Sequence, residues 1–147
     1  MLSTAANVSV VTDFIRSLRS AGVKIPVVLD PVLRSSSGRD LLEPEGVSLL
    51  HERLLPLVDW VTPNVDELAV LTGQHIAEHG DVPEAARTLQ CASRRLNVFA
   101  TGGHLETPDD LVIAPDGSER WLAGKRVETT STHGTGCALS SALLCGL

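Results

Sequence analysis

Positions 132–137 have the residue types and spacing that most clearly predict chemistry in this sequence. They are Thr-His-Gly-Thr-Gly-Cys, and an apolar stretch that predicts a helix follows them. Two glycines let the backbone turn tightly and approach a ligand closely. The backbone N–H groups of residues 134–137 would then point at one spot, where the helix dipole strengthens their attraction for an anion. The segment therefore predicts an anion hole, and the alternative is a glycine-rich structural turn.

Cys137 would lie in the first turn of that helix, where the dipole favours a thiolate over a thiol. A thiolate can accept the proton of a substrate hydroxyl. Cys137 is therefore a candidate general base, and the alternative is a buried structural cysteine. Cys91 and Cys145 are expected in the core. The chain has 3 cysteines and no Cys-x-x-Cys pair, which fits a reduced, cytoplasmic protein.

Two acidic residues follow predicted strands. Asp30 ends the short apolar run at 26–29, and Glu67 lies one helical turn after Asn64, beyond the run at 58–62. Ligands of open α/β sheets bind beyond the carboxyl ends of the strands, and Mg²⁺ binds carboxylates directly or through water. Asp30 and Glu67 are thus candidate metal ligands. The alternatives are an aspartate that caps a turn, and a capping box between Asn64 and Glu67.

A third predicted strand, at 97–101, ends in Gly102-Gly103-His104. Glycines at a strand end allow the backbone to come close to a ligand. This turn is a candidate contact for a nucleotide phosphate. The alternative is a simple connection between the strand and the next loop.

Helical spacing and short apolar runs alternate along the chain, which predicts an α/β fold with a mainly parallel sheet. We expect helices from Ser3 or Thr4 to Gly22, from Pro44 to about Leu55, from Pro63-Asn64 to Gly73, from Pro83 to about Leu96, and from near Gly136 onward. The runs at 111–114 and 119–122 flank Pro-Asp-Gly-Ser, which predicts a hairpin.

Length and charge limit the function classes. The 147 residues allow one domain at most. The net charge is −6, and basic residues are never more than paired, so neither nucleic acid nor an anionic membrane is an expected partner. No apolar run has transmembrane length, and a cytoplasmic location is expected. Both ends of the sequence look cut inside a core, which predicts part of a larger α/β domain.

Taken in order, these segments resemble the ribokinase-like superfamily, and within it the hydroxymethylpyrimidine/phosphomethylpyrimidine kinase family of thiamine biosynthesis. Met1-Leu2 is similar to the end of that family's Lys-x-Gly-Met-Leu segment. Positions 27–38 are similar to its Val-Val-x-Asp-Pro-Val-Met-x-x-x-Ser-Gly stretch, and positions 54–67 to its Leu-Leu-Pro-x-x-x-x-x-Thr-Pro-Asn-x-x-Glu stretch. Positions 132–137 match its Thr-His-Gly-Thr-Gly-Cys turn.

The resemblance implies a three-layer sandwich and a reaction in which ATP phosphorylates hydroxymethylpyrimidine and then its monophosphate. Cys137 stands where this branch places its general base. Gly134, Thr135 and Gly136 would hold the transferring phosphoryl group. Asp30 and Glu67 would act around Mg²⁺.

The nucleotide would be bound by residues from three segments, and a small pyrimidine would be the other substrate. The resemblance places Asn64 near the nucleotide phosphates, together with the turn from Thr101 to Gly103 and His133. It leaves a homodimer open. Such catalysis is chiefly positioning and charge stabilisation.

The chain departs from the family pattern in two ways. Thr101 stands where many members have a lysine that reaches the ATP phosphates, which implies changed nucleotide contacts. The family's N-terminal strands, with the pyrimidine pocket, and its C-terminal elements have no counterpart, so positions 1–147 correspond to the nucleotide and metal portion. The alternatives are a kinase for pyridoxal-type vitamers and a truncated, inactive nucleotide-binding fragment.

Overall fold

The computed structural model describes residues 2–35, 38–103, 105–127 and 134–147. Within these ranges, the chain forms helices α1 (Ala5–Ser20), α2 (Pro44–Leu49), α3 (Val65–Thr72), α4 (Val82–Gln90) and α5 (Thr135–Gly146). The strands are β1 (Val28–Leu29), β2 (Trp60–Val61), β3 (Asn97–Ala100), β4 (Asp110–Ile113) and β5 (Glu119–Leu122). A π turn at Leu50–Leu54 and 3-10 turns at Leu55–Leu57 and His79–Asp81 complete the regular structure of these ranges.

The helix ends that depend on local side chains lie where the sequence predicts them. The Thr4 hydroxyl accepts a hydrogen bond from the Asn7 N–H at 3.3 Å and begins α1. Pro44 is the first residue of α2. Gly73 ends α3 with φ 69°, a left-handed conformation that glycine adopts without steric cost.

Two predicted helices are shorter in the structure. The helix that begins at Pro44 changes into the π turn after Leu49 and then into a 3-10 turn that contains Pro56. Proline has no N–H for a helical hydrogen bond, and its ring clashes with the preceding turn. α4 ends at Gln90, well before Leu96, because tight turns follow that carry Leu96 into the core. No helix in the described ranges has the length and apolar content to cross a membrane.

The five strands form one sheet in the order β1-β2-β3-β4-β5. β1, β2 and β3 are parallel, whereas β3 pairs with β4, and β4 with β5, in antiparallel fashion. Helical crossovers produce the parallel pairs, and the short turn around Gly117 produces the predicted hairpin. The α/β prediction is confirmed, and the described sheet is mixed, so the predicted parallel arrangement holds for its first three strands.

The core lies between this sheet and the helices packed on it. α4 packs on β3 and β4, α3 packs on α4, and α5 packs on β1. The buried side chains are almost all aliphatic and include Leu54, Val61, Leu68, Leu89, Val98, Leu111 and Ile113. The sheet is therefore held rigidly at its centre, and its strand ends are available for polar side chains.

The three cysteines are all exposed. The prediction of core positions for Cys91 and Cys145 is wrong. Cys91 begins the turn after α4, and Cys145 lies near the end of α5, a helix whose one buried residue is Ser140. α5 packs on the edge strand β1, and most of its described residues are exposed. Cys137 is likewise exposed in this chain, not buried as the structural alternative required.

Candidate active site

The ends of three parallel strands bring the predicted residues to one edge of the sheet. Asp30 directly follows β1, Asn64 precedes α3 just beyond β2, and Thr101 directly follows β3. Leu29 pairs with Val61 in register, so the first two strands end at the same level. The Thr101 N–H donates to the Pro63 carbonyl at 2.9 Å, and Asn64 and Thr101 form a parallel bridge.

Asn64 and Glu67 form the capping box that the sequence left open as an alternative. The Asn64 Oδ1 accepts from the Glu67 N–H at 2.9 Å, and the Glu67 Oε2 accepts from the Asn64 N–H at 2.9 Å. The Glu67 Oε1 also accepts from the Leu33 N–H at 3.4 Å, so the same carboxylate joins α3 to the loop after β1. The capping role is confirmed. It is compatible with a metal role because each carboxylate oxygen keeps a second lone pair.

Glu67 is in an unusually unfavourable place for a negative charge. Burial raises the pKa of this carboxyl, and the charges of Asp30 and Asp66 raise it further, against the opposite effect of the Asn64 and Leu33 hydrogen bonds. Among the described residues, neither Asp30 nor Glu67 has a Lys or Arg ion pair. A cation between them would relieve this cost.

The two carboxylates fit Mg²⁺ that arrives with a nucleotide better than a metal held by protein alone. In the described residues, no group of three or more His, Cys, Asp or Glu side chains is arranged to hold a metal. Mg²⁺ commonly binds through one or two carboxylates, several waters and substrate phosphates. Asp30 and Glu67 are two carboxylates of the kind that such a set uses.

α5 places Cys137 beside Asp30. The Ser140 hydroxyl, one turn further along α5, donates to the Asp30 Oδ2 at 3.4 Å. A cleft of about 360 Å³ opens here, with Asp30, Cys137, Ser140 and Ser141 among its polar lining residues. The site therefore has a nucleophilic thiol and a carboxylate on the same wall.

The environment of Cys137 differs from the one expected from the sequence. A hydrogen bond from the thiol to the Asp30 carboxylate raises the pKa of Cys137, and the negative charge of Asp30 raises it further. The prediction of a favoured thiolate is wrong for this arrangement, because a full negative charge at contact distance outweighs the partial charge of a helix terminus. The carboxylate of Asp30 therefore opposes thiolate formation at Cys137 unless a cation offsets its charge.

The two glycines before Cys137 differ in what surrounds them: Gly134 adopts a left-handed conformation with open space around it among the described residues, and Gly136 lies near Asp30. Gly134 is the N-cap of α5 with φ 82°, and it supplies no capping side chain. A Cβ on Gly136 would lie 4.0 Å from the Asp30 Oδ2. The start of α5 thus faces Asp30, where a bound anion would meet the positive end of the helix dipole. His133, a predicted nucleotide contact, lies outside the described residues.

The turn after β3 has two partners that the sequence analysis missed. The Gly102 N–H donates to the Asp110 Oδ1 at 3.0 Å, and Gly103 is exposed. The Asp109 carboxylate accepts from the Gly124 N–H at 2.8 Å. The available signal was a pair of aspartates directly before a strand that returns beside Gly102. His104 also lies outside the described residues.

Comparison with known proteins gives the family. The family model described as phosphomethylpyrimidine kinase matches residues 1–147. The hydroxymethylpyrimidine/phosphomethylpyrimidine kinase of Streptomyces coelicolor is 39% identical over 148 residues, which are 100% of this chain and 52% of that protein. The chain therefore spans about half the length of this relative.

Solved structures agree with this fold. The phosphomethylpyrimidine kinase of Clostridium difficile 630 superposes with a TM-score of 0.76 at 25% identity, over 100% of this chain and 59% of that one. An ADP complex of Bacillus subtilis pyridoxal kinase gives a TM-score of 0.76 at 25% identity, over 100% and 56%. The fold is ribokinase-like, and the chain belongs to the phosphomethylpyrimidine kinase family.

Proposed function

We propose that this chain carries the phosphoryl-transfer portion of a hydroxymethylpyrimidine/phosphomethylpyrimidine kinase, an enzyme of thiamine biosynthesis. The reaction is transfer of the γ-phosphoryl group of ATP to hydroxymethylpyrimidine and then to its monophosphate. The observation that carries the proposal is the contact between Cys137 and Asp30 at the start of α5. It joins a thiol, a carboxylate and a helix N-terminus within one cleft.

Asp30 would bind Mg²⁺, and Glu67 would do so through water, since both of its oxygens already accept backbone hydrogen bonds. When bound, Mg²⁺ supplies positive charge that stabilises the phosphates and offsets Asp30 beside Cys137. Asn64 and the turn from Thr101 to Gly103 would contact the nucleotide phosphates. His133 belongs to the same nucleotide set.

Cys137 would accept the proton of the substrate hydroxymethyl group as its oxygen attacks the γ-phosphorus. The oxygen–hydrogen bond breaks, the new oxygen–phosphorus bond forms, and ADP leaves with the electrons of the broken phosphoanhydride bond. The N-terminal backbone of α5, at Gly134, Thr135 and Gly136, would stabilise the charge on the transferring group. These groups act by position and by charge, as expected for phosphoryl transfer.

The complete domain would be a three-layer sandwich with a mainly parallel sheet. In the described sheet, β1 is an edge strand that pairs with β2 on one side. Additional parallel strands beside β1 would increase the fraction of parallel strand pairs in the sheet and would cover α5. Residues 1–147 would then be the nucleotide and metal portion. A homodimer of the complete enzyme is part of this proposal. Analytical sedimentation measures its mass in solution and so tests the dimer.

Two other functions have specific support. The likeness to the Bacillus subtilis pyridoxal kinase favours a kinase for pyridoxal-type vitamers. The other alternative is a fragment that binds nucleotide without turnover, and the chain spans 52% of the Streptomyces relative. Both alternatives use the same nucleotide and metal residues, so the acceptor substrate and turnover distinguish them.

The test compares the 147-residue chain with a chimera. The chimera joins residues 1–147 to the parts of the Streptomyces coelicolor kinase that this chain does not match. Transfer of labelled phosphate from ATP is measured with hydroxymethylpyrimidine, its monophosphate and pyridoxal. Binding of Mg-ATP to each protein is measured by calorimetry, and Cys137→Ala in both proteins is the matched control.

We expect both proteins to bind Mg-ATP and the chimera to phosphorylate the pyrimidine. Cys137→Ala should greatly reduce this phosphorylation. Faster phosphorylation of pyridoxal would favour the vitamer kinase. Turnover by the chain alone would exclude the inactive fragment. A chimera that binds Mg-ATP but phosphorylates none of the three acceptors would contradict the proposed function.

A further inference from the structure

Two glycines close to the proposed site are in contact with one three-residue segment. Residues 108–110 lie between Gly102 and Gly124. We name residues 108–110 the aspartate clamp, because they hold both glycines. A Cβ on Gly102 would lie 2.1 Å from the Asp109 carbonyl oxygen, and one on Gly124 would lie 1.7 Å from the Pro108 carbonyl oxygen. Only glycine fits at either position, because both clashes would be with backbone atoms.

Each glycine is also held by a carboxylate. The Gly102 N–H donates to the Asp110 Oδ1 at 3.0 Å, and the Gly124 N–H donates to the Asp109 Oδ1 at 2.8 Å. Adjacent aspartates thus bind two different chain segments. The contacts are directional and charge-assisted, which makes them shorter and stronger than neutral hydrogen bonds.

The clamp follows from the order of the strands. β4 lies between β3 and β5, and Asp110 is its first residue. Gly102 lies two residues after the end of β3, and Gly124 lies two residues after the end of β5. The start of the central strand therefore reaches the ends of both neighbours, and residues 108–110 can hold both exits together.

A second set of contacts holds the same turn. The Leu105 N–H donates to the Gly102 carbonyl at 2.9 Å, and the Arg126 Nη2 donates to the Leu105 carbonyl at 2.5 Å. On the opposite side, the Thr101 N–H donates to the Pro63 carbonyl, next to Asn64. The turn at Gly102 is thereby fixed between the Asn64 segment and the chain that leaves β5.

The carboxylate of Asp110 lies in a partly buried place that disfavours its negative charge. Burial raises the pKa of Asp110, and the neighbouring Asp109 raises it further, against the effect of the Gly102 hydrogen bond. Within the described ranges, Asp110 has no Lys or Arg ion pair. The Oδ1 of this carboxylate is nevertheless held on the Gly102 amide, so Asp110 fixes the geometry of the turn at Gly102.

We propose that Asp110, supported by Asp109, is a positioning residue that fixes the turn at Gly102 and Gly103 for contact with the phosphates of the nucleotide. This inference rests on the proposed function, because that function assigns the turn to the nucleotide. Asp110 acts through the Gly102 amide and does not itself touch the substrate. The clamp also ties this turn to the chain that runs from β5 towards α5, on which Cys137 lies.

The test uses the 147-residue chain with Asp110→Ala, which removes the acceptor, and Asp110→Asn, which keeps an acceptor oxygen without the charge. The matched control is Asp116→Ala. Asp116 also accepts a backbone N–H, from Ser118 at 2.9 Å, but at the opposite end of the same hairpin. Three quantities are measured: the Kd for Mg-ATP, the amide hydrogen-exchange rate at Gly102, and the Tm.

We expect Asp110→Ala to weaken Mg-ATP binding about tenfold, as for loss of one hydrogen bond to a charged group. Exchange at Gly102 should become faster in the same variant. Asp110→Asn should restore most of the affinity. Asp116→Ala should leave the Kd and Gly102 exchange unchanged, whatever its effect on the Tm.

Unchanged Mg-ATP affinity in Asp110→Ala would overturn the positioning role. Unchanged exchange at Gly102 would overturn the clamp itself. If Asp110→Ala does not fold, Asp110→Asn is used instead. The role is supported if the Gly102 amide of this variant exchanges more slowly than water-exposed amides and the affinity for Mg-ATP is near that of the unaltered chain. The role is opposed if the affinity is lost although the Gly102 amide stays protected. If the unaltered chain does not bind Mg-ATP, the proposed function is refuted. The exchange rate of the Gly102 amide would still test the Gly102–Asp110 contact.

Discussion

The charge of Asp30 acts on both of its reactive neighbours. It raises the pKa of the Cys137 thiol through a hydrogen bond and its charge, and it adds to the raised pKa of Glu67. Neither effect helps a base or a metal ligand in the absence of a cation. A divalent cation beside Asp30 would reverse both effects. We therefore expect these residues to be poorly prepared for catalysis alone and better prepared when a divalent cation lies beside Asp30.

The Cys137 thiol is expected to be the proton acceptor. In the chimeric enzyme, Cys137→Ala should lower kcat by roughly 10²–10⁴, the usual contribution of a general base. Cys137→Asp should keep part of the activity, because a carboxylate can accept the same proton. Steady-state kinetics with hydroxymethylpyrimidine measure both, and an unchanged kcat in the alanine variant would refute the base assignment.

Glu67 should make the fold less stable as pH rises. Its pKa in the folded state lies above its ordinary value of 4.5, so the folded state binds more protons than the unfolded state between these two values. The free energy of unfolding contributed by Glu67 therefore falls as pH rises through that window. Glu67→Gln removes this effect. We expect the variant to gain stability relative to the unaltered chain as pH rises above 4.5, the ordinary pKa of this carboxyl, as measured by urea unfolding without nucleotide.

Asp81 provides a control with the opposite sign. Hydrogen bonds from the Ala77 and Glu78 N–H groups lower the pKa of Asp81. Its contribution to stability is present above its unfolded pKa and is lost as pH falls through its folded pKa. Asp81→Asn should therefore lose stability at pH 7, and the loss should shrink in acid. Equal pH profiles for the Glu67 and Asp81 variants would contradict the assigned causes.

One carboxylate joins several elements at the end of the sheet where β1 and β2 begin, which is opposite the site. The Asp59 Oδ2 accepts from the Arg19 Nη2 at 2.6 Å and from the Val27 N–H at 2.9 Å. These bonds connect the end of α1 and the start of β1 to the start of β2. Since β1 and β2 are only two residues long, their alignment depends on such flanking contacts, and Asp30 follows β1 directly.

Asp59→Ala should lower the free energy of unfolding by roughly 1.5–3 kcal/mol, the range for hydrogen bonds to charged groups. The Asp59 and Arg19 side chains are 27% and 19% exposed, so solvent screens this pair only in part. The control is Asp40→Ala, whose ion pair with Arg34 is 71% and 55% exposed and should contribute about 0–1 kcal/mol. Urea denaturation measures both. Equal losses would mean that Asp59 does not align the strands.

Across the whole molecule, the site is built from segments far apart in sequence. Asp30 comes from the first strand, Glu67 and Asn64 from the second crossover, and Cys137 from the last helix. α5 is apolar yet largely exposed, with Leu144 exposed at 43% and Leu147, directly after the helix, at 55%. The proposed additional strands would cover this face in a complete domain.

Ligand binding should stabilise the whole fold. At a Mg-ATP concentration of one hundred times its Kd, the free energy of unfolding should rise by about 2.7 kcal/mol. Asp30→Ala, or removal of Mg²⁺ with EDTA, should abolish most of this gain, because the phosphates would then meet an incomplete site. Thermal unfolding with and without Mg-ATP measures the effect. A gain that persists in EDTA would contradict the assignment of Asp30 to the metal.

The sequence alone determined the features that depend on neighbouring residues. Thr4, Pro44, Asn64 and Gly73 marked helix ends correctly because capping and backbone conformation act within one turn. The motifs at Asp30, Asn64–Glu67 and positions 134–137 also identified the family, since their order along the chain is written in the sequence.

Only the tertiary structure decided what depends on distant contacts. α4 ended early because Leu96 had to enter the core, and Cys91 and Cys145 stayed exposed because of where their segments pack. The pKa of Cys137 rose because folding placed Asp30 against it, which the helix dipole alone could not reveal. The clamp of Asp109 and Asp110 on Gly102 and Gly124 arose from the order of β3, β4 and β5. Sequence spacing determines local geometry, whereas pairing between distant strands determines which charges and backbones meet.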